Sequence, residues 1–478
     1  MKHGVLGKFF CSIALSLVFG LVFSQETSAQ GNAIYLNAAI TDHGNKTIKN
    51  SLAFYIATAK GYPRTLVLTG PNPQSSPRTP YLEYAVKKSI SVPRNITLVF
   101  QNGARLTTVG SSVYINFFCA IQAGSYQIFD TDSDIRLRGG VTEAPFEWWG
   151  AHCITEKADY IGNWPKFDSG PAIQAAVRSC SHVVGSPGAA YLVQTPIELP
   201  TQIIVDGKWC TIYGSASIGS SQAIFVIKDQ KNVVIQNMSI KLDGADRFLY
   251  VFGSRDVKID NVFLREDAAQ QDFTFFDIHN SYHCYLNNVT MNGGGPESDN
   301  GSVGVLIRSD ALSGGFPVVD NIGIDNTTIG SIWTCVLLDF DNASNNILLR
   351  NVSFLGLKPL NPGAYYGLRS IGSGRVDFIN IDGLHMESMP RGITFEPGAV
   401  GYTMSVKCVR FSDVEQVFNL YGDTQDRVTI QTVDFRASTS GQHWVFYHLD
   451  ASVKKLDEWQ FDSKEYSIGP MEGTGVIN

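Results

Sequence analysis

From residue 230 onward the chain repeats a four-residue phrase in which apolar and polar positions alternate. It appears as Asn237-Met-Ser-Ile240, Asn261-Val-Phe-Leu264, Asn288-Val-Thr-Met291, Asn326-Thr-Thr-Ile329 and Asn351-Val-Ser-Phe354. It continues as Gly383-Leu-His-Met386, Cys408-Val-Arg-Phe411, Thr432-Val-Asp-Phe435 and Glu458-Trp-Gln-Phe461, at spacings of 24, 27, 38, 25, 32, 25, 24 and 26 residues. A second alternating run precedes each phrase, as in Val233-Val-Ile235 and Ile347-Leu-Leu349. Period-two alternation predicts half-buried strands. Short strands at a period of about 25 residues cannot bury their apolar faces singly and must stack. The pattern therefore predicts an all-β right-handed parallel β-helix with three strands per turn, right-handed because parallel crossovers almost always are. Five successive phrases begin with Asn, which tolerates left-handed backbone geometry and can bond to the amide above it, so a ladder is expected at one bend.

The first half has a weaker rhythm. Short strands such as Ile96-Thr-Leu-Val-Phe100 and Ala104-Arg-Leu-Thr-Thr108 alternate with turns rich in Gly, Asn, Pro and Ser, predicting a smaller N-terminal β subdomain over 30–150. The parallel β-helix is expected over 151–470, with a short tail at 471–478. One helical pattern stands out, Pro171-Ala-Ile-Gln-Ala-Ala-Val-Arg-Ser-Cys180, with Ile173, Val177 and Cys180 on one face. Ser169 can cap it and Pro171 suits its first turn, and a helix over 169–180 would cover the open end of the coil.

Composition narrows the function. A net charge of −7 and the absence of basic blocks argue against nucleic acid as a partner. Residues 1–29 read as a secretory signal: Lys2 and Lys8, an apolar run from Phe9 to Phe23, and the small residues Thr27-Ser28-Ala29 before Gln30. Export to an extracellular or periplasmic site is expected, with no membrane span in the mature chain. Cys119, Cys153, Cys180, Cys210, Cys284, Cys335 and Cys408 would remain; an odd number cannot all pair, and buried thiols are expected, with Cys153–Cys180 or Cys180–Cys210 as candidate bridges.

The pieces Glu147-Trp-Trp-Gly-Ala151, Ala172–Val177 and Pro187-Gly-Ala-Ala-Tyr-Leu-Val193 make the chain resemble the pectate-lyase-like superfamily of secreted polysaccharide-active proteins and phage tailspikes. The match departs from the family at an Asp-rich turn, replaced here by a longer stretch ending Phe167-Asp-Ser-Gly-Pro171. The Asn-Thr-Asp, Asp-Asp, Gly-His-Gly and Arg-Ile-Lys motifs of polygalacturonases are also missing. The resemblance implies a substrate cleft on the outer face of the first strands, flanked by long loops. Extra residues at Asn292–Ser302, Ser309–Pro317 and Leu355–Tyr366 suit that expectation.

Aligning the first strands by their apolar residues predicts an outward column of His279, Arg308, Asp339, Arg369, Glu396 and Tyr421. Asp339 and Glu396, two rungs apart, would lie about 9–10 Å apart, near the upper limit for an inverting acid–base pair. Arg308 and Arg369 suit the carboxylate of an acidic sugar, and His279, Tyr421 and Asp341 are candidate substrate contacts. No cofactor is expected; Ca²⁺ between Asp339 and Asp341 would have two carboxylates where about six to eight oxygens are needed. The readings that follow are cleavage of an acidic polysaccharide by β-elimination or hydrolysis, a non-catalytic glycan-binding or surface-attachment role, and a purely structural charge ladder. Homotrimers, which tailspike relatives form, have no readable segment here.

Overall fold

The computed structural model describes residues 33–36, 46–47, 49, 51–70, 81–153, 168–219, 222–266, 273–293, 301–310, 319–341, 344–356, 365–398, 402–422, 427–436, 443–455, 459–461, 466–468 and 476–477. The expected signal segment and most of the three long insertions lie outside them.

Strand pairing follows the repeat. The first strand of each turn joins an 11-stranded parallel sheet running from Ile197–Glu198 to Tyr466–Ser467, and the second and third strands join an 18-stranded sheet. Together they form a right-handed parallel β-helix. Inward columns are apolar from rung to rung: Ile203, Val233, Val257, Cys284, Ile322, Ile347, Ile379, Met404, Val428 and Val453 are mutual neighbours in sequence of turns. All are nearly inaccessible to solvent.

In the early turns the second and third strands run on as single strands, such as Lys231–Asp243 and Arg255–Glu266. The bend within each is made by one residue in the left-handed region. Asn237, Asn261, Asn288, Asn326 and Asn351 have φ of 53, 60, 52, 48 and 50°. Asn261 Nδ2 donates to Asn237 Oδ1 at 2.8 Å, Asn288 to Asn261 at 2.8 Å and Asn351 to Asn326 at 3.3 Å, while Asn326 turns to Asn287 Oδ1 at 3.0 Å. Asp206 closes the ladder below, accepting from Asn237 Nδ2 at 3.1 Å, Gln236 Nε2 at 3.0 Å and the Lys208 N–H at 2.9 Å. Burial alone would raise the Asp206 pKa, but these donors and the Lys208 charge outweigh it and hold it low. Above Asn351 the bend passes to Gly383, Cys408 and Thr432 at φ of 74, 51 and 54°. A groove of about 360 Å³ lined by these residues and by His385, Arg410 and Asp434 opens there.

The N-terminal strands are parallel as well, in sheets of four, three and two strands, and they share one continuous apolar core with the long coil. Phe129 joins the two parts, with Phe100, Phe117 and Trp149 rings centred 5.8, 5.7 and 5.2 Å away. The Glu-Trp-Trp-Gly segment forms a short 3₁₀ turn, Phe146–Trp149, ended by Gly150 at φ 94°. Inside it the buried Glu147 accepts a short hydrogen bond from the Tyr191 hydroxyl.

The helix, Gly170–Ser179, packs against Ile197–Glu198, where the 11-stranded sheet begins, and also against Asp134–Leu137 and Phe146–Trp149, so it covers the start of the long coil at its joint with the N-terminal strands. Two expectations change. The cap of the helix is Asp168: Oδ1 accepts the N–H groups of Gly170 and Gln194, both at 2.9 Å, and Oδ2 accepts the Thr195 hydroxyl at 2.6 Å. Ser169 makes no side-chain cap bond, because its hydroxyl accepts from the His152 N–H at 3.1 Å. The seven cysteines among the described residues are free thiols, so neither candidate bridge forms; Cys119, Cys180, Cys210, Cys284 and Cys335 are buried, whereas Cys153 and Cys408 are exposed.

Asn261 sits mid-ladder, both donating and accepting. Asn261→Ala loses two hydrogen bonds and keeps its Cβ at positive φ without the side-chain amide that compensates for it, for an expected loss of about 2–4 kcal/mol. Asn261→Gly keeps the backbone geometry and should lose about half as much, a ranking that denaturant midpoints of the two variants check.

Candidate functional site

The outer face of the 11-stranded sheet gathers the charged residues. Within Thr274–His279, Val303–Ser309 and Thr334–Phe340, the inward residues Phe276, Ile278, Val305, Ile307, Val336 and Leu338 are fully buried. Alternation then points Asp277, His279, Arg308 and Asp339 outward. His279 pairs with Arg308 and Arg308 with Asp339, as the apolar alignment expects.

Arg369 does not join that column. It pairs with Leu337, and Ile371 stands opposite Asp339. Matching Leu368 to Leu338 is a two-residue slip, which preserves the face of a strand and changes only the column. Arg369 therefore still faces outward, one column nearer the strand start. Phe395 pairs with both Ser370 and Leu420, which returns Glu396 and Tyr421 to the Asp339 column, with Ile371 between. Two rungs separate Asp339 from Glu396, about 9–10 Å of backbone.

The arginines are engaged. Arg308 Nε and Nη2 form a two-point clamp on Asp277 at 2.9 and 3.0 Å, and Arg247 reaches the same carboxylate at 3.2 Å. Asp277 is completely buried. The forked edge of Arg308 thus serves Asp277, contrary to its expected use for a sugar acid. Arg369 Nε donates to Glu396 Oε1 at 3.1 Å and its guanidinium lies over the Tyr366 ring, 4.4 Å from the centroid. Arg391 covers the same ring at 5.0 Å and donates to the Tyr366 hydroxyl. Tyr421 stacks on His448, centroids 3.8 Å apart and 17° from parallel, and His448 Nε2 lies 2.8 Å from Asp450.

His279 is buried against Phe252, with Nδ1 3.3 Å from the Tyr250 hydroxyl. Its Nε2 lies 2.7 Å from Asp310 Oδ2, in a geometry that does not make a well-formed hydrogen bond. Asp310 and Asp341 follow equivalent strand ends, with Ser309 paired to Phe340 just before them. Like charges therefore meet on adjacent rungs.

Asp339 differs from its neighbours. Among the described residues its half-buried carboxylate has no ion pair and no hydrogen bond. Burial pushes its pKa up, Asp341 and Asp310 push the same way, and Arg308, committed to Asp277, only partly offsets them. An unpaired, half-buried carboxyl that resists ionisation is suited to donating a proton. No group of three or more Asp, Glu, His or Cys among the described residues is placed to hold a metal ion.

Arg247, Tyr250, Asp277 and Asp310 belong to this cluster although the sequence reading did not select them. Asp277 stands inside the aligned phrase Phe276-Asp-Ile-His279, at the outward position before His279; Asp310 and Asp341 continue the same alternation one step past their strands.

No family model matches the chain, and no curated protein matches it. Among solved structures it is similar to the Streptococcus pneumoniae surface adhesin PfbA, at 14% identity and TM-score 0.48, over 68% of this chain and 92% of that one. It is also similar to the Yersinia enterocolitica family 28 exopolygalacturonase, at 9% identity and TM-score 0.37, over 93% and 78%. The polygalacturonase from Erwinia carotovora ssp. carotovora matches at 10% identity and TM-score 0.31, over 95% and 99%. At these identities the likeness is one of fold. Among the described residues no helix is long and apolar enough to cross a membrane.

Removing the Asp277 charge leaves Arg247 and Arg308 facing each other over a buried position. Asp277→Asn is expected to lower stability by about 3 kcal/mol, measured by denaturant unfolding. A change below about 0.5 kcal/mol would show that the clamp does not support the site.

Proposed function

We propose that the protein is an exported hydrolase of an acidic polysaccharide, with Asp339 as general acid and Glu396 as general base across the outer face of the first-strand sheet. The observation behind this reading is the state of Asp339: half-buried, unpaired, and held toward its protonated form by burial and two neighbouring carboxylates. A structural charge ladder pairs its carboxylates, as Asp277 and Glu396 are paired here. It gives no reason to place an unmatched acid between Arg308 and Ile371.

In this mechanism Asp339 protonates the departing glycosidic oxygen as the C–O bond breaks. Glu396 takes a proton from the water that attacks the opposite face of the sugar, and the two-rung separation leaves room for that water. Arg369 holds Glu396 through Nε. Tyr421, stacked on His448, offers an aromatic surface beside the column for a sugar ring. Eliminative cleavage requires a cation free to neutralise a uronate next to the abstracted proton, and Arg308 has already given its fork to Asp277. A glycan-binding role uses the same face without turnover.

Incubation of the mature protein with acidic polysaccharides separates these outcomes. Hydrolysis releases reducing ends with no new ultraviolet absorbance, elimination produces an unsaturated uronate that absorbs, and binding alone gives neither. Asp339→Asn and Glu396→Gln should each lower kcat about 10²–10⁴-fold. Because its folded-state pKa is raised, ionised Asp339 opposes folding above the unfolded value, so Asp339→Asn should keep or increase the melting temperature at neutral pH. Unchanged turnover in Asp339→Asn removes the assignment.

The pH profile gives a separate check. Activity needs protonated Asp339 and falls as pH rises through its raised pKa. Exposed Asp341 contributes to that rise, so Asp341→Asn should shift the alkaline limb of kcat/KM toward lower pH. A limb that stays in place, or moves upward, contradicts the role given to Asp339.

A further inference from the structure

The groove of about 360 Å³ above Asn351 belongs to the 18-stranded sheet, whereas Asp339 and Glu396 belong to the other sheet and its outer face. It opens where the asparagine ladder stops. Asn351 Nδ2 donates to Asn326 Oδ1, but Asn351 Oδ1 accepts no hydrogen bond among the described residues. One turn on, Gly383 stands where the ladder would place another asparagine. A Cβ at Gly383 would come within 2.6 Å of Asn351 Oδ1, so glycine leaves that carbonyl uncovered where a side chain would lie against it. Cys408 and Thr432 follow on the next two turns, and with Gly383 they line the groove.

The third-strand residues His385, Arg410 and Asp434, paired rung to rung, form one wall. Arg410 Nε and Arg436 Nε both donate to a single oxygen, Asp434 Oδ2, at 3.1 and 2.9 Å. Two cations thus share one anion, and the Nη edges of both guanidinium groups carry no bond among the described residues. Burial lowers the His385 pKa; Glu387 opposes the shift and Arg410 and Arg436 reinforce it, so the ring is uncharged at neutral pH and the surplus positive charge belongs to the arginines. The nearby acids do not cancel it. Asp382, beside Gly383, stands in register between Arg350 and Lys407. Glu387 is two rungs from Arg436, about 9–10 Å of backbone.

Gly383 and Arg410 are one rung and two residues apart, about 8 Å between backbones at the usual strand spacing and rise. The groove therefore offers a carbonyl acceptor at one end and two guanidinium edges at the other. A matching ligand carries a hydroxyl donor and, across a single ring, a planar carboxylate for the forked donors. We infer that this groove is a second glycan site, which takes one carboxylate-bearing sugar with a hydroxyl on Asn351 Oδ1 and its carboxylate on Arg410 and Arg436. It needs neither Asp339 nor Glu396, and so goes beyond the hydrolase reading.

Cys408 reports occupancy from within the groove, and Cys153, the other exposed thiol among the described residues, is the internal control. Alkylation of the full chain by iodoacetamide is followed at each cysteine by peptide mass spectrometry, with methyl β-glucuronide, methyl β-glucoside or acetate added. At saturation the glucuronide should slow Cys408 about fivefold or more and leave Cys153 unchanged. The glucoside has hydroxyls without the carboxylate and acetate has the reverse, and over the same range each should slow Cys408 less than about twofold. Arg410→Gln changes an exposed residue and leaves Arg436 on Asp434, so it should raise the half-maximal glucuronide concentration about tenfold with an unchanged circular dichroism spectrum. Equal protection by acetate marks a simple anion contact, and equal protection by the glucoside marks a neutral sugar surface; either overturns the inference. So does glucuronide that fails to protect Cys408, that slows Cys153 equally, or that protects Arg410→Gln as well as the parent chain. Asp339→Asn should leave the protection unchanged, so loss of turnover and loss of this site are read separately.

Discussion

Parallel rungs about 4.8 Å apart turn residues separated by 24 to 38 positions into neighbours, and the outer face depends on that conversion. Register is set where the chain bends. At one bend a single left-handed residue per turn redirects the backbone, and a turn using one residue leaves little freedom to slip. Asparagine meets two requirements there: it tolerates positive φ, and its amide bonds to the amides of the turns above and below. Inside, the apolar columns add a second constraint, because a one-residue slip would turn every Ile and Val toward water. The outer face lies on the opposite side of the strands that this core fixes, so the column each side chain occupies there is set by the core.

That division of labour lets the site hold an unmatched charge. Asp277 is wholly buried and takes two arginines, satisfying both carboxylate oxygens and anchoring Arg308. Once Arg308 is committed, Asp339 on the next rung lacks the cation that an alternating ladder would provide. Asp310 and Asp341, just beyond the strand ends, add like charge from neighbouring rungs. The unfavourable arrangement around Asp339 is thus produced by a favourable one beneath it. A large, continuous apolar core can tolerate such a local loss. The pairing of Arg369 with Glu396 shows that this same face satisfies its charges elsewhere.

Much of the fold was legible because its determinants are periodic. The phrase beginning Asn237 and its recurrences located the third strands, and the asparagines among them marked the bend that the structure shows. The face of each candidate residue was legible for the same reason, since period-two alternation decides inside from outside. The column was less so. Tyr366-Gly-Leu-Arg369 resembles Val336-Leu-Leu-Asp339 closely enough to be paired two residues out of step, and a two-residue slip leaves no trace in hydrophobicity. Partner choice was not legible at all: that Arg308 would turn to Asp277 one rung away, and not to Asp339 beside it, depends on side-chain reach and burial. The helix cap failed on a similarly local matter, because Ser169 and Asp168 are both competent caps and only the approach of Gln194 and Thr195 favours the aspartate. The free cysteines follow from the columns, where Cys284 occupies an ordinary core position facing Val257 and Ile322.

The coil also explains why one unpaired charge is informative. In a parallel stack, opposite charges on successive rungs are brought close by geometry, so random substitution toward stability tends to produce mixed ladders, as on the neighbouring face where Arg350 bonds Asp325 at 2.6 and 2.7 Å. The outer face follows the same rule where Arg369 bonds Glu396 at 3.1 Å and where His279 meets Asp310 at 2.7 Å. Asp339 departs from it, a half-buried carboxylate with no ion pair and no hydrogen bond among the described residues. Stability does not account for that departure, because burial and two neighbouring carboxylates oppose its ionisation and the nearest guanidinium is committed to Asp277.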